Sequence, residues 1–184
     1  MTAPLSRSRP ALPLRIAGGF TVVELLVTLA ILLTLAALVV DLGRREWRRE
    51  QVNTVVLQLA GWLETVRRGA IQANGCTVTL TGGTYATGDT LAQLTTCGAI
   101  RPFRLTGLSA NQRFVLGDGV STTQFSFTPA GTVFPAPAAD RPIVISLALA
   151  DDADPQPCLQ LDGLLGAIDV GYTNGSSCVI GEGF

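Results

Sequence analysis

Hydrophobic and polar positions follow three different rules along this chain. Residues 20–40 (FTVVELLVTLAILLTLAALVV) are apolar at nearly every position and hold one ionisable side chain, Glu24. A helix that is apolar all round is buried, in a core or in a bilayer. These 21 residues would reach roughly 30 Å as a helix, about the hydrocarbon thickness of a membrane. The pattern predicts a transmembrane helix over 20–40.

After Asp41-Leu42-Gly43 the rule changes. Val52, Val55, Val56, Leu59, Leu63, Val66 and Ala70 recur three and four apart, the stripe of an amphipathic helix. Glu64 precedes Arg68 by four, the favourable order for an ion pair. Gly43, Gly61 and Gly69 are weak points, at about 1 kcal/mol each relative to Ala. No Pro interrupts residues 20–101, and Asn74-Gly75 fits a helix stop. The two segments predict one nearly continuous helix, roughly 80 Å long over 20–72.

From Cys76 onward, short β-type runs are divided by Gly, Pro, Asn and Asp. They predict strands at 77–80, 100–105, 113–116, 124–128, 143–149, 158–161 and 167–170. Gly82-Gly83, Gly117-Asp118-Gly119, Pro129-Ala130-Gly131 and Asn174-Gly175 mark turns. The expected fold class is α+β. A long N-terminal helix packs its second half, 41–73, on an antiparallel sheet built from 74–184.

Composition narrows the chemistry. All 13 basic residues are Arg; Lys and His are absent. Without His there is no Ser-His or Cys-His pair and no His-ligated metal. No nucleophile or paired-acid motif stands out either, so a non-enzyme is expected, without metal or cofactor. Residues 71–184 carry four Arg against nine acids, a net charge of −5. An acidic body argues against a nucleic-acid partner.

Four cysteines, Cys76, Cys97, Cys158 and Cys178, all follow the apolar run and form no C-x-x-C pair. An even count in an exported domain points to two disulfides. Three pairings are open, and the sequence-local one, Cys76–Cys97 with Cys158–Cys178, is favoured. Each bridge would close a loop of about 20 residues, worth roughly 3 kcal/mol. Asp140, Asp151, Asp152 and Asp154 offer oxygen ligands that would suit calcium. They lack EF-hand spacing and Pro155 follows them, so an exposed acidic loop is the expectation.

Residues 1–19 (MTAPLSRSRPALPLRIAGG) carry Arg7, Arg9 and Arg15, no acid, and end in Gly-Gly. A secretory signal is cut after its apolar region. Here the apolar region follows Gly19, so a cut there would leave the helix in place. This leader and the run GFTVVELLVTLAILLTLAALVV resemble the N-terminal signal of type IV pilins and type II secretion pseudopilins. The resemblance implies that a membrane prepilin peptidase cuts between Gly19 and Phe20 and methylates the new Phe20 amine. It implies that Glu24, fifth after the cut, serves assembly. It also implies other pilins and an inner-membrane assembly platform as partners.

The physics is consistent with those roles. A carboxylate in a membrane helix costs several kcal/mol unless paired. Cleavage makes an α-amine, mostly protonated at neutral pH, and Glu24 of one subunit can pair with the amine of a neighbour. Arginine counting does not orient the chain, because Arg44, Arg45, Arg48 and Arg49 follow the run that three Arg precede. The family's peptidase acts on the cytoplasmic side. The N-terminus is therefore expected inside, with the β domain extracytoplasmic. The Arg44–Arg49 cluster is read as a solvated or lipid-facing helix start.

The rest of the chain resembles, more loosely, the GspH/FimT group of minor pilins and pseudopilins. The matching segments are LAGWLETVRRGAIQ leading into CTVTL, then FSFTPAGTV, then IVISLAL followed by CLQLDGLLGAIDVG. The group's Arg-x-x-Ala at the helix end appears here as Arg67-Arg68-Gly69-Ala70. Such a subunit would join a type II secretion pseudopilus or a type IV pilus near its tip. Some FimT-like pilins bind DNA during uptake through basic residues near the C-terminus, the alternative reading. This chain has no Arg after Arg141, a departure from that pattern.

Overall fold

In the computed structural model, the described residues are 21–97, 99–106, 112–117, 120, 122–136, 142–151, 156–163, 165–173 and 177–181. The side chains of residues 38, 41, 42 and 45 are outside the description. One helix, α1, runs Val22–Ala73 over 52 residues. The chain divides into two compact units, Met1–Arg44 and Arg45–Phe184.

In the first unit the described residues are Thr21 and the apolar start of α1. Every side chain described there is exposed, including Val22 at 76% and Leu33 at 69%. Among the described residues, no helix is long and apolar enough to cross a membrane. The membrane span expected at 20–40 is thus not met among the described residues.

In the second unit α1 shows the period expected of it. Val52, Val55, Val56, Leu59, Leu63, Val66 and Ala70 are all buried, and each is 4% exposed or less. The helix stops as Asn74-Gly75 predicts. Asn74 takes a left-handed φ of 61°, and the Gly75 N–H donates to the Ala70 carbonyl at 2.9 Å, closing a Schellman-type cap.

Among the described residues eleven strands follow, in two antiparallel sheets where one was expected. The first has five strands: β1 (Cys76–Leu80), β3 (Thr90–Thr95), β4 (Phe103–Arg104), β6 (Gln124–Phe127) and β7 (Val133–Phe134). Their order is β4-β3-β1-β6-β7. The second has six: β2 (Thr84–Tyr85), β5 (Phe114–Leu116), β8 (Ile143–Leu149), β9 (Pro157–Asp162), β10 (Ala167–Thr173) and β11 (Cys178–Ile180). Their order is β11-β10-β9-β8-β5-β2.

Each predicted run contains a strand. β2, β3, β7 and β11 were not predicted. β2, β7 and β11 are two or three residues long, too short to show a period. β3 (TLAQLT) holds Ala and Gln, which have weak strand preference, and takes its conformation from pairing with β1.

One apolar core joins the α1 stripe to both sheets. Cys76, Val78 and Leu80 face it from β1, and Phe125 and Phe127 from β6, whose rings meet edge to face at 5.8 Å. Ile143, Ile145 and Leu147 of β8 and Leu159 and Leu161 of β9 complete it. The intervening β8 residues Val144, Ser146 and Ala148 are buried too, so β8 is covered on both faces. That burial explains why 143–149 reads as a continuous apolar run.

Candidate functional site

The residues singled out by sequence fall at the N-terminus of α1 and on four strands or loops of the sheets. Gly19 and Phe20 lie outside the described residues, as do Asp140, Asp152 and Asp154. Glu24 is described, and the structure puts it at a helix start of defined geometry. Thr21 is the N-cap: its Oγ1 accepts the Glu24 N–H at 3.2 Å, and its carbonyl accepts the Leu25 N–H at 3.1 Å. Thr21-x-x-Glu24 is the spacing of a capping box, a signal visible in the sequence that the prediction passed over.

The cap has an electrostatic effect. Orphan N–H groups give a helix start partial positive charge, which favours a carboxylate in the first turn. Glu24 is exposed, and its carboxylate has no partner among the described residues. The other polar side chains of this segment are satisfied locally. Thr28 Oγ1 donates to the Leu25 carbonyl at 3.0 Å, and Thr34 Oγ1 to the Ile31 carbonyl at 2.8 Å. Over the described residues the surface is therefore apolar, with one carboxylate near its start that has no described partner.

In the second unit the features carrying the looser resemblance come together. Arg67, at the end of α1, donates from Nε to the Gly131 carbonyl at 3.1 Å. Gly131 closes the Pro129-Ala130-Gly131 turn with φ 76°, a conformation that favours glycine. In the same turn the Gly131 N–H donates to the Thr128 carbonyl at 2.9 Å, and the Thr128 and Thr132 hydroxyls share a bond of 2.6 Å. Glu64 meets Arg67 at 3.5 Å and Arg68 at 3.3 Å. Earlier in the same helix, Trp62 Nε1 donates to the Arg101 carbonyl at 3.0 Å, and Asn53 Nδ2 donates to the Tyr172 hydroxyl of β10 at 2.8 Å.

The four cysteines form two disulfides, Cys76–Cys97 and Cys158–Cys178, with Cα–Cα distances of 4.7 and 5.9 Å. The second joins β9 to β11 across the strand between them. On β10, Gly171 stands opposite Cys158 on one side and Ile180 on the other. A Cβ at 171 would collide with the Val179 carbonyl, so only glycine lets β11 lie this close. Among the described residues no group of three or more acids or cysteines could hold a metal ion.

No protein-family model matches the chain, and no curated protein matches it. Among solved structures the chain is similar to the type IV minor pilin FimU of Pseudomonas aeruginosa strain PAO1. The identity is 15% and the TM-score 0.48, over 70% of this chain and 97% of that one. At that identity and score it stands as a likeness only.

Proposed function

We propose that the chain is a minor pilin or pseudopilin, a structural subunit that enters a type IV pilus or a type II secretion pseudopilus near its tip. One observation carries the reading: the start of α1 is an exposed apolar surface interrupted by a single carboxylate without a partner among the described residues, Glu24, four positions after Phe20 in the sequence. A surface of that kind has no use in a lone soluble molecule. It suits the inner membrane before assembly and a bundle of like helices afterwards.

In the proposed sequence of events, prepilin peptidase cuts after Gly19 and methylates the amine of Phe20. Glu24 then takes the amine of a neighbouring subunit. The pair is worth more in an apolar bundle than in water, less the cost of stripping water from both charges. The second unit, with its own core and two disulfides, supplies the extracytoplasmic face of the subunit. Its net charge of −5 over residues 71–184 disfavours the alternative, a DNA-binding subunit of an uptake machine.

The test is Glu24→Ala in the full chain. Mass spectrometry should find the N-terminus at methylated Phe20 in both proteins, while filaments should contain the wild type only. Equal incorporation of the variant would refute the pairing. A deletion scored together for twitching, exoprotein release and DNA uptake assigns the machine.

A further inference from the structure

The outward face of the five-stranded sheet differs in chemistry from the rest of an acidic domain. Residues of β1 and β6 that alternate with the buried ones line up across the strands. Thr95, Thr77 and Ser126 form one row, and Gln93, Thr79 and Gln124 form the next. Phe134 of β7 extends the first row beside Ser126, with its side chain 66% exposed. Gln93, Thr95 and Gln124 are exposed, and Thr77, Thr79 and Ser126 half-buried between them. The Thr77 and Ser126 hydroxyls share a hydrogen bond of 2.9 Å, which fixes their rotamers.

The five strands hold one charged residue, Arg104 on the edge strand β4. Adjacent strands lie about 4.8 Å apart and same-face residues about 7 Å apart along a strand, so the rows form a flat grid of hydroxyls and amides. Every one of those groups can both donate and accept.

We propose that this face binds a neutral polysaccharide. Complementarity of charge and hydrogen bonding selects that partner. A polyanion would be repelled by the domain's net charge of −5 over residues 71–184, and a polycation finds no carboxylate on these strands. A largely apolar partner would strand the rows of hydroxyls and amides without water. An uncharged sugar chain presents hydroxyls that pair with the rows. It also presents C–H faces that stack on an exposed aromatic ring such as Phe134, much as aromatic surfaces favour electropositive edges. The inference is independent of the filament reading, because the face lies on the folded second unit.

The experiment uses the detergent-solubilised full chain, sedimented with insoluble β-glucan and chitin and with an anionic resin (heparin). The variants are the double change Gln93→Glu with Gln124→Glu, and Phe134→Ala. All are surface positions, and circular dichroism checks that each folds. The wild type should sediment with a neutral polymer and be released by soluble neutral oligosaccharide. Each variant should bind at least about tenfold more weakly, the effect of losing a stacking contact or of placing charge on a neutral face. Absence of binding to the neutral polymers, capture by heparin alone, or binding that neither variant alters would overturn the proposal. So would variants that bind polysaccharide normally but fail to join other subunits, which would assign the face to subunit contact.

Discussion

Leu32 and Leu59 are the same residue in the same helix, and their surroundings have nothing in common. Leu32 is 61% exposed, whereas Leu59 is fully buried against the sheets. The difference separates two ways in which a sequence uses apolar side chains. Around Leu59 they recur every three or four residues and are matched by a core within the chain. Around Leu32 they cover the whole helix and have no match among the described residues. The first kind of surface stabilises the fold of one molecule; the second is available to something outside it.

Substitution can test this contrast directly. Leu59→Ala should lower the unfolding free energy by about 2–5 kcal/mol, by loss of burial and creation of a cavity. Leu32→Ala should change it by no more than about 0.5 kcal/mol in the isolated chain. Urea titration of both proteins in the same detergent checks the pair, and equal losses would erase the distinction.

Opening the Cys158–Cys178 bridge with paired Ser substitutions should cost about 2–4 kcal/mol and leave the start of α1 unaffected. Hydrogen exchange resolved by segment reads both effects at once.

A smaller effect distinguishes the caps. Thr21→Ala should cost the helix start about 1 kcal/mol, with Thr21→Ser close to wild type. Fraying confined to the first turn would be seen by the same exchange experiment, and fraying that reached Val52 would show that the two regions are not separable.

The last prediction concerns pH. Tyr85 is buried and its hydroxyl has no partner among the described residues, and burial raises its phenol above the ordinary value of 10.0. The folded protein therefore keeps this proton to higher pH than the unfolded chain. Stability from this group is constant below about pH 10 and falls as pH rises toward the folded-state value. Tyr85→Phe should flatten the alkaline limb of a stability-versus-pH curve.

The long helix was the most legible part of the fold, because its signals agree. The stripe from Val52 to Ala70 has an unbroken period, no Pro interrupts it, and Asn74-Gly75 ends it. The strongest strand, β8, was legible in full because burial on both faces leaves an apolar run with clear ends. The division into two sheets was not legible. It depends on which strands pair, as when β1 takes β3 and β6 as neighbours, and local pattern does not encode partners. In the candidate site, Glu24 was legible as the one carboxylate in an apolar run. Its cap was written in the spacing of Thr21 and Glu24. The contact from Arg67 to Gly131 was not, because the two residues are 64 positions apart and meet only after folding.

The spacing of the two bridges has a consequence for how the domain is made. Cys76 and Cys97 are 21 residues apart, Cys158 and Cys178 are 20 apart, and neither loop encloses or crosses the other. A β domain passed into an oxidising compartment in its order of synthesis therefore presents each thiol to its correct partner before the next pair emerges. Order of arrival alone yields the native connectivity, and no mixed bridge has to be undone. Cells lacking a disulfide-exchanging isomerase should make this domain in undiminished yield, and a deficit there would reveal that thiols are paired out of turn.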